Sequence, residues 1–167
     1  MEHKDSLGNT EIIHRGEVQF TSAGTGVRHS EYNANPSLPV HFLQMWVTPN
    51  VNGLKPSYST KKYSDDQKRG NLCKIVSGDN DPNSILVHND IAVYASLLGK
   101  GEQVKHQFGQ DRMGYIHLCQ TGGSLTINGV VLKEGDGAFI RGVQQLEIIG
   151  TSDTTAEFLL FDINSKS

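Results

Sequence analysis

Short apolar stretches alternate with turn residues along most of the chain, and this pattern predicts β-strands rather than long helices. Residues 40–47 (VHFLQMWV) are apolar, β-branched and aromatic, and Pro49 soon follows them, so they are the strongest single strand candidate. Upstream, the pattern predicts one short strand on each side of Gly16 and a further strand over residues 27–32. Residues 33–39 (NANPSLP) have the composition of a loop.

The second half of the chain repeats this alternation of short strands and turns. Strands are predicted over residues 71–76, 85–87, 91–97, 104–108, 114–119, 124–127, 138–140, 146–150 and 156–162. Asn128 and Gly129, between two apolar triplets, predict a two-residue hairpin turn. Residues 50–69 are polar and rich in turn residues, which predicts an irregular crossing segment with one capped helical turn near Ser64. Many short strands at near-regular spacing indicate an all-β sandwich or barrel.

Composition and charge narrow the classes of function. The 167 residues include 18 Gly and 5 Pro, and the formal net charge is −3, so no general basic field attracts nucleic acid. Cys73 and Cys119 lack the spacing of a zinc site and are predicted to be free thiols in a reducing compartment. No signal peptide or membrane span is recognisable. We therefore expect a cytoplasmic or nuclear protein that binds neither a membrane nor nucleic acid directly.

A weak internal repeat suggests that two copies of one domain type are present. Residues 12–20 (IIHRGEVQF) and residues 131–139 (VLKEGDGAF) both read as an apolar pair, a polar pair, Gly, an acid and a strand. A full run of strands surrounds the second copy, whereas only closing strands surround the first. On this interpretation the chain begins part-way through its first domain.

The clearest candidate for chemistry is the stretch AGTGVRHSE, which ends in His29 and Glu31. In an extended segment two residues at this spacing point to the same side of the strand. An imidazole beside a carboxylate provides two ligands for a transition metal, and a facial triad needs three. The other interpretation is a hydrogen-bonded pair next to a turn. His3, His14 and His41 are the candidates for a third ligand, but no two histidines have HxH spacing, and each is interpreted as a surface or packing residue.

The segments GEVQFTSAGTGVRHSEYN, VHFLQMWVTP, GLKPSY and NGVVLKEGDGAFI, in this order, resemble the pirin family. The resemblance covers essentially the whole chain. It implies a tandem cupin fold of two jelly-roll β-barrels, with the first barrel partial and the second complete. The implied domains are residues 1–49, a crossing segment over residues 50–70, and residues 71–167.

The resemblance also implies one metal, usually iron, held in the N-terminal barrel by three histidines and one glutamate. His29 and Glu31 match two of these ligands, whereas the family's upstream HxH pair has no counterpart in this chain. We therefore expect binding of Fe²⁺ or another divalent metal to be weak or absent. The first barrel, lacking its opening strands, is expected to expose an unpaired sheet edge and to favour self-association.

Two functions follow from this resemblance. In a flavonol dioxygenase of the quercetin 2,3-dioxygenase type, His29 is a neutral ligand, and Glu31 is an anionic ligand and the candidate base for the hydroxyl of a flavonoid-like substrate. We expect this chain alone to show no appreciable dioxygenase activity. The alternative is a transcription co-regulator or signalling protein that binds a protein partner through the surface of the β-barrel.

The second barrel offers weaker candidates. Its region for an HxH motif contains only His106, so we expect this barrel to be free of metal. Tyr115, His117 and Cys119 share one face of a predicted strand, which suits either a nucleophilic Cys/His pair or a half-exposed barrel face; no orienting acid favours the first. Trp46, the only tryptophan, is interpreted as a core or inter-domain packing residue.

Overall fold

The computed structural model describes residues 1–166, and nearly all of its regular structure is β-strand. The described chain divides into two units, Met1–Tyr63 and a second unit that starts at Ser64. Within the described residues, no helix is both long and apolar enough to cross a membrane. Cys73 and Cys119 are free, as predicted.

The N-terminal unit contains two small antiparallel sheets. A three-stranded sheet has the order β2-β1-β4, and a two-stranded sheet pairs β3 with β5. The strands are β1 (Glu2–Asp5), β2 (Thr10–Ile12), β3 (Glu17–Ser22), β4 (His29–Tyr32) and β5 (Ser57–Lys62). The predicted strands on either side of Gly16 and the strand that contains His29 are thus confirmed. Strand β1 is an additional strand that the sequence pattern does not reveal.

The prediction of a strand over residues 40–47 is wrong, because these residues form no strand in this structure. A strand requires a neighbour that completes its backbone hydrogen bonds, and none of the described strands pairs with this segment. Its apolar side chains are consequently exposed: Phe42 is 48% and Trp46 is 90% exposed. The assignment of Trp46 to the core is therefore also wrong. Conversely, part of the segment predicted to be irregular is strand β5.

The second unit contains a six-stranded sheet, order β13-β10-β15-β8-β6-β7, and a four-stranded sheet, order β12-β11-β14-β9. The helical turn α1 (Asp65–Lys68) precedes them and has Ser64 as its N-cap in a capping box with Gln67, as the sequence predicts. The strands are β6 (Cys73–Ser77), β7 (Ile85–Leu86), β8 (Ile91–Leu98), β9 (Gln103–Gln107), β10 (Arg112–Leu118), β11 (Ser124–Ile127), β12 (Val130–Lys133), β13 (Gly137–Ile140), β14 (Gln145–Gly150) and β15 (Ala156–Asn164). Every strand predicted for this half is present, with ends shifted by a few residues.

Alternation between the two faces of each strand builds the core of the second unit. Ile116 and Leu118 of β10 have no exposed surface, and Tyr115 and His117, which alternate with them along the strand, are half-buried. The hairpin between β11 and β12 turns at Asn128 and Gly129, whose φ angles of 43° and 84° are both positive, as a turn of this kind requires. The fully buried side chains around these elements include Leu98, Leu125, Phe158 and Leu160.

We expect the purified chain to self-associate in a concentration-dependent manner, because the N-terminal unit exposes large apolar side chains and its sheet ends in unpaired edge strands. Analytical ultracentrifugation tests this. The double variant Phe42→Ser/Trp46→Ser is expected to shift the equilibrium towards monomer, whereas Val130→Ser, which replaces an exposed apolar side chain of the second unit, is not. A wild-type chain that stays monomeric at all concentrations contradicts the expectation.

Candidate functional site

The central strand of the N-terminal sheet places a row of polar side chains on one face. His3 of β1 lies opposite Glu11 of β2 and opposite Glu31 of β4, and Asp5 lies opposite His29. Residues directly opposite each other in an antiparallel pair project from the same face of the sheet. His29 and Glu31 are therefore on the same side of β4, as their spacing in the sequence predicts.

The second sheet of this unit supplies polar groups to the same row. Tyr58 of β5 stacks on the ring of His3, with centroids 4.5 Å apart and the planes 16° from parallel. Its hydroxyl donates a hydrogen bond of 3.0 Å to Glu11 Oε2, and the hydroxyl of Thr60 donates one of 3.1 Å to Glu11 Oε1. Both oxygens of Glu11 are thus occupied, and this carboxylate serves the structure of the unit.

His3 is the most deeply buried polar residue of the unit, with no exposed surface. Its Nε2 lies 3.1 Å from Asp5 Oδ2, and its Nδ1 lies 3.2 Å from Nε2 of Gln19. The same nitrogen of Gln19 donates to Glu31 Oε1 at 2.9 Å. Because both ring nitrogens of His3 have partners, His3 does not provide the third ligand in this arrangement.

Three carboxylates make this region electrostatically negative. Burial alone would raise the pKa of Asp5, but hydrogen bonds from Asn9, His3 and Leu7 outweigh burial and hold the pKa well below its usual range. Burial, followed by the hydrogen bond to Glu11, raises the pKa of Tyr58, so its hydroxyl remains a donor. An ionised carboxylate at Asp5, with Glu11 and Glu31 nearby, favours a cation over an anion in this region.

The residues available for a metal have suitable chemistry but are too few. The ring of His29 is exposed and stacks loosely on His3, with centroids 5.8 Å apart, and Glu31 is half-buried. His14 and His41 are both exposed, and no contact joins either of them to these two residues in the described chain. Among residues 1–166, no group of three or more His, Cys, Asp or Glu side chains is arranged to hold a metal ion. The described residues therefore provide an imidazole and a carboxylate, and not a complete metal site.

The second unit contains a network that the sequence did not reveal. His106 of β9 places Nε2 2.7 Å from Asp162 Oδ2, and Arg112 of β10 donates from Nε to Asp162 Oδ1 at 2.6 Å. Tyr94 and Phe108 contact the imidazole ring with centroids 5.1 and 4.7 Å away. His106 and Asp162 are 56 positions apart in the sequence, so no local motif links them. His106, the one histidine in the region where an HxH motif would lie, is thus engaged in a salt-bridge network.

The second unit also contains Tyr115, His117 and Cys119, the residues of the other sequence candidate. Tyr115 packs against the rings of Phe139 and Phe161, with centroids 4.9 and 5.8 Å away, and Cys119 is buried at the end of the strand. Tyr115 and His117 are half-buried, which agrees with a half-exposed barrel face.

Two family models match the chain over most of its length. The model described as the quercetinase C-terminal cupin domain matches residues 74–163, and the pirin model matches residues 1–47. The quercetinase C-terminal model thus covers the barrel of the second unit. The pirin model includes the whole sheet that carries His3, His29 and Glu31.

Individual proteins agree with the family models. Quercetin 2,3-dioxygenase of Escherichia coli is 39% identical over 163 residues, which cover 98% of this chain and 68% of that protein. A putative quercetin 2,3-dioxygenase of Zymomonas mobilis is 35% identical over 91% of this chain and 64% of its own length. The crystal structure of the E. coli pirin YhhW in complex with nickel(II) has a TM-score of 0.87 at 38% identity, with 98% of this chain and 67% of that chain covered.

The fold is therefore that of a cupin, and the all-β jelly-roll prediction is confirmed. Within the cupins the chain belongs to the pirin family. It spans about two thirds of the length of the relatives that it matches.

The network around Asp162 leads to a prediction about pH. Burial would raise the pKa of this carboxyl, but hydrogen bonds from His106 and Arg112 and the charge of Arg112 hold it below its usual range. Asp162→Asn is expected to lower the free energy of unfolding by about 3 kcal/mol at pH 7, since it removes the buried carboxylate that pairs with both His106 and Arg112. The stabilisation is present above the unfolded-state pKa of about 3.9 and is lost as the pH falls through the lower folded-state pKa.

The measurement is urea unfolding of both proteins from pH 7 down to pH 3. The difference between wild type and Asp162→Asn should shrink below about pH 4. The control is Asp90→Asn, because Asp90 also pairs with Arg112 but its side chain is 62% exposed, and it should cost at most about 1 kcal/mol. Equal effects of the two substitutions at pH 7 would show that Asp162 has no special role.

Proposed function

We propose that this chain contributes His29 and Glu31 as two ligands of the divalent-metal site of a pirin-type flavonol dioxygenase, and that by itself it supports no appreciable turnover. The observation on which this rests is the position of both side chains on one side of β4, within the region that matches the pirin family. The names of the relatives supply the reaction class, the 2,3-dioxygenation of a flavonol such as quercetin.

The expected metal is iron or another divalent ion. A neutral imidazole with a carboxylate suits several first-row metals, so these ligands alone do not select one. The nickel(II) complex of the E. coli relative makes nickel a suitable probe. Such a metal, when bound, would supply Lewis acidity to a substrate oxygen.

Weak binding and absent turnover follow from the number of ligands. A facial triad uses three protein ligands, whereas the described residues offer two, and His3 is held by Asp5 and Gln19. With two protein ligands most of the coordination sphere is left to water, and the substrate is not held in one orientation. Among residues 1–166, Glu31 is in addition the only carboxylate of the row with an oxygen that accepts no hydrogen bond, which makes it the best candidate for the substrate's proton.

Calorimetric titration of the purified 167-residue protein with nickel(II) tests the ligands. His29→Ala and Glu31→Gln are each expected to weaken binding by at least about tenfold, since even the outer-shell partners of metal ligands have effects of that size. His14→Ala replaces an exposed histidine outside the site and should leave binding unchanged. With quercetin and Fe²⁺, the wild-type rate should not exceed that of the double variant His29→Ala/Glu31→Gln. Quercetin turnover that His29→Ala abolishes would overturn the proposed lack of activity.

A second candidate function is a regulatory one, in which the chain binds a protein through the surface of the second barrel. The observation that favours it is that the core of this unit is built from its own residues and includes neither His29 nor Glu31. The relatives named above are all bacterial, so no nuclear role is proposed.

A pull-down from an extract of the cells that produce this protein tests the second function. The wild type and His29→Ala/Glu31→Gln are expected to retain the same protein partner in equal amounts. The triple variant Val130→Ser/Val131→Ser/Phe139→Ser, which removes the most exposed apolar side chains of this unit, should reduce the yield. Absence of a specific partner, or loss of the partner in the ligand variant, contradicts this function.

A further inference from the structure

The side-chain amide of Gln19 joins two residues of the candidate site. Its Nε2 lies 2.9 Å from Glu31 Oε1 and 3.2 Å from His3 Nδ1. A carboxylate only accepts hydrogen bonds, so the nitrogen of the amide, and not its oxygen, must face Glu31. The second hydrogen of this nitrogen then points to His3, and both donors of the amide are used.

The orientation of Gln19 determines the tautomer of His3. Because Nδ1 receives a hydrogen from Gln19, it is the acceptor, and the hydrogen of the ring is on Nε2. Nε2 donates in turn to Asp5 Oδ2 at 3.1 Å. Glu31, Gln19, His3 and Asp5 thus form one continuous hydrogen-bond network, in which Gln19 donates to both Glu31 and His3, and His3 donates to Asp5.

The far end of this chain is firmly anchored. Asp5 Oδ1 accepts from the backbone N–H groups of Leu7 and Asn9, at 2.9 and 3.0 Å, and Oδ2 accepts from the side chain of Asn9 at 2.8 Å. The side chains of His3 and Asp5 are both completely buried. A fixed carboxylate orients the ring of His3, and the ring in turn orients the amide.

The amide adopts this orientation although its own oxygen gains nothing from it. Gln19 Oε1 is buried and has no hydrogen-bond partner within residues 1–166. The reversed amide would place Oε1 against an oxygen of Glu31 and against the lone pair of His3 Nδ1, two repulsive contacts. A buried acceptor without a partner is unusual in proteins, and here the interaction with Glu31 requires it.

We propose that Gln19 is a positioning residue, which holds Oε1 of Glu31 and leaves Oε2 as the single oxygen directed to a cation. The same hydrogen bonds exclude His3 from the ligand set and make it a support of Glu31. This proposal rests on the proposed role of Glu31 as a metal ligand. A carboxylate held in this way binds a metal through one oxygen, and the outer-shell donor restricts its rotation.

The test combines a metal-free measurement with a metal titration. In the full-length protein without metal, two-bond ¹H–¹⁵N correlation spectra of the imidazole rings report which nitrogen of each histidine carries hydrogen; His3→Gln identifies the signals of His3. We expect hydrogen on Nε2 and an unprotonated Nδ1 in the wild type. Gln19→Met keeps the volume and removes both donors, so the Nδ1 signal of His3 should move towards that of a nitrogen without a hydrogen bond.

Nickel(II) titration of the same proteins measures the effect on Glu31. Gln19→Met and Gln19→Glu are expected to weaken binding about tenfold, in the range found for outer-shell partners of metal ligands. Thr21→Val is the control, because Thr21 is on the same face of β3 and its hydroxyl is buried without a partner in the described chain. This substitution should change neither the His3 spectrum nor the affinity for nickel.

The outcomes separate this proposal from the one on which it rests. Hydrogen on Nδ1 of His3 in the wild type, or an unchanged spectrum and unchanged nickel affinity in Gln19→Met, overturns the role of Gln19. Equal nickel affinity of wild type and His29→Ala instead overturns the ligand assignment, and with it the metal-directed part of this proposal. If Gln19→Met does not fold, the tautomer of His3 in the wild type and the affinity of Gln19→Glu still decide the matter.

Discussion

The N-terminal unit depends on the burial of a single imidazole with both of its nitrogens paired. A ring with no exposed surface needs an acceptor for one nitrogen and a donor for the other, since an unpaired polar group in the interior is costly. Asp5 and Gln19 satisfy these two needs of His3. The register of β1 places His3 directly between Glu11 of β2 and Glu31 of β4. The buried ring therefore lies at the centre of the polar row.

This arrangement explains why a polar layer can occupy the inside of a small β unit. Each carboxylate in it has a donor that holds it: Asn9 for Asp5, Tyr58 and Thr60 for Glu11, and Gln19 for Glu31. Among the side chains of this layer that the structure describes, His29 and one oxygen of Glu31 are left for a ligand. Membership of the pirin family and a capacity for catalysis are therefore separate properties, because the first depends on the whole fold and the second on the number of ligands that converge.

The second unit shows the opposite balance between polar and apolar groups. Strands such as β10 and β14 alternate between a buried apolar face and a more exposed face, and a single cluster of apolar side chains fills the interior. Periodicity of two is a local signal, and for this reason all of its strands could be predicted from the sequence. Residues 40–47 have an equally strong local signal and form no strand, because backbone pairing is a property of two segments and not of one.

Four features could be predicted from the sequence alone: the all-β class, the hairpin turn at Asn128 and Gly129, the cap at Ser64, and the position of His29 and Glu31 on one side of a strand. Each of these features depends on the geometry of a few consecutive residues. The resemblance to the pirin family likewise depends on short sequence motifs. Three further features become visible in the folded chain alone: His3 is a buried support, Gln19 holds Glu31, and His106 pairs with Asp162. Each of these contacts joins residues on different strands, so its existence depends on the register of the sheets.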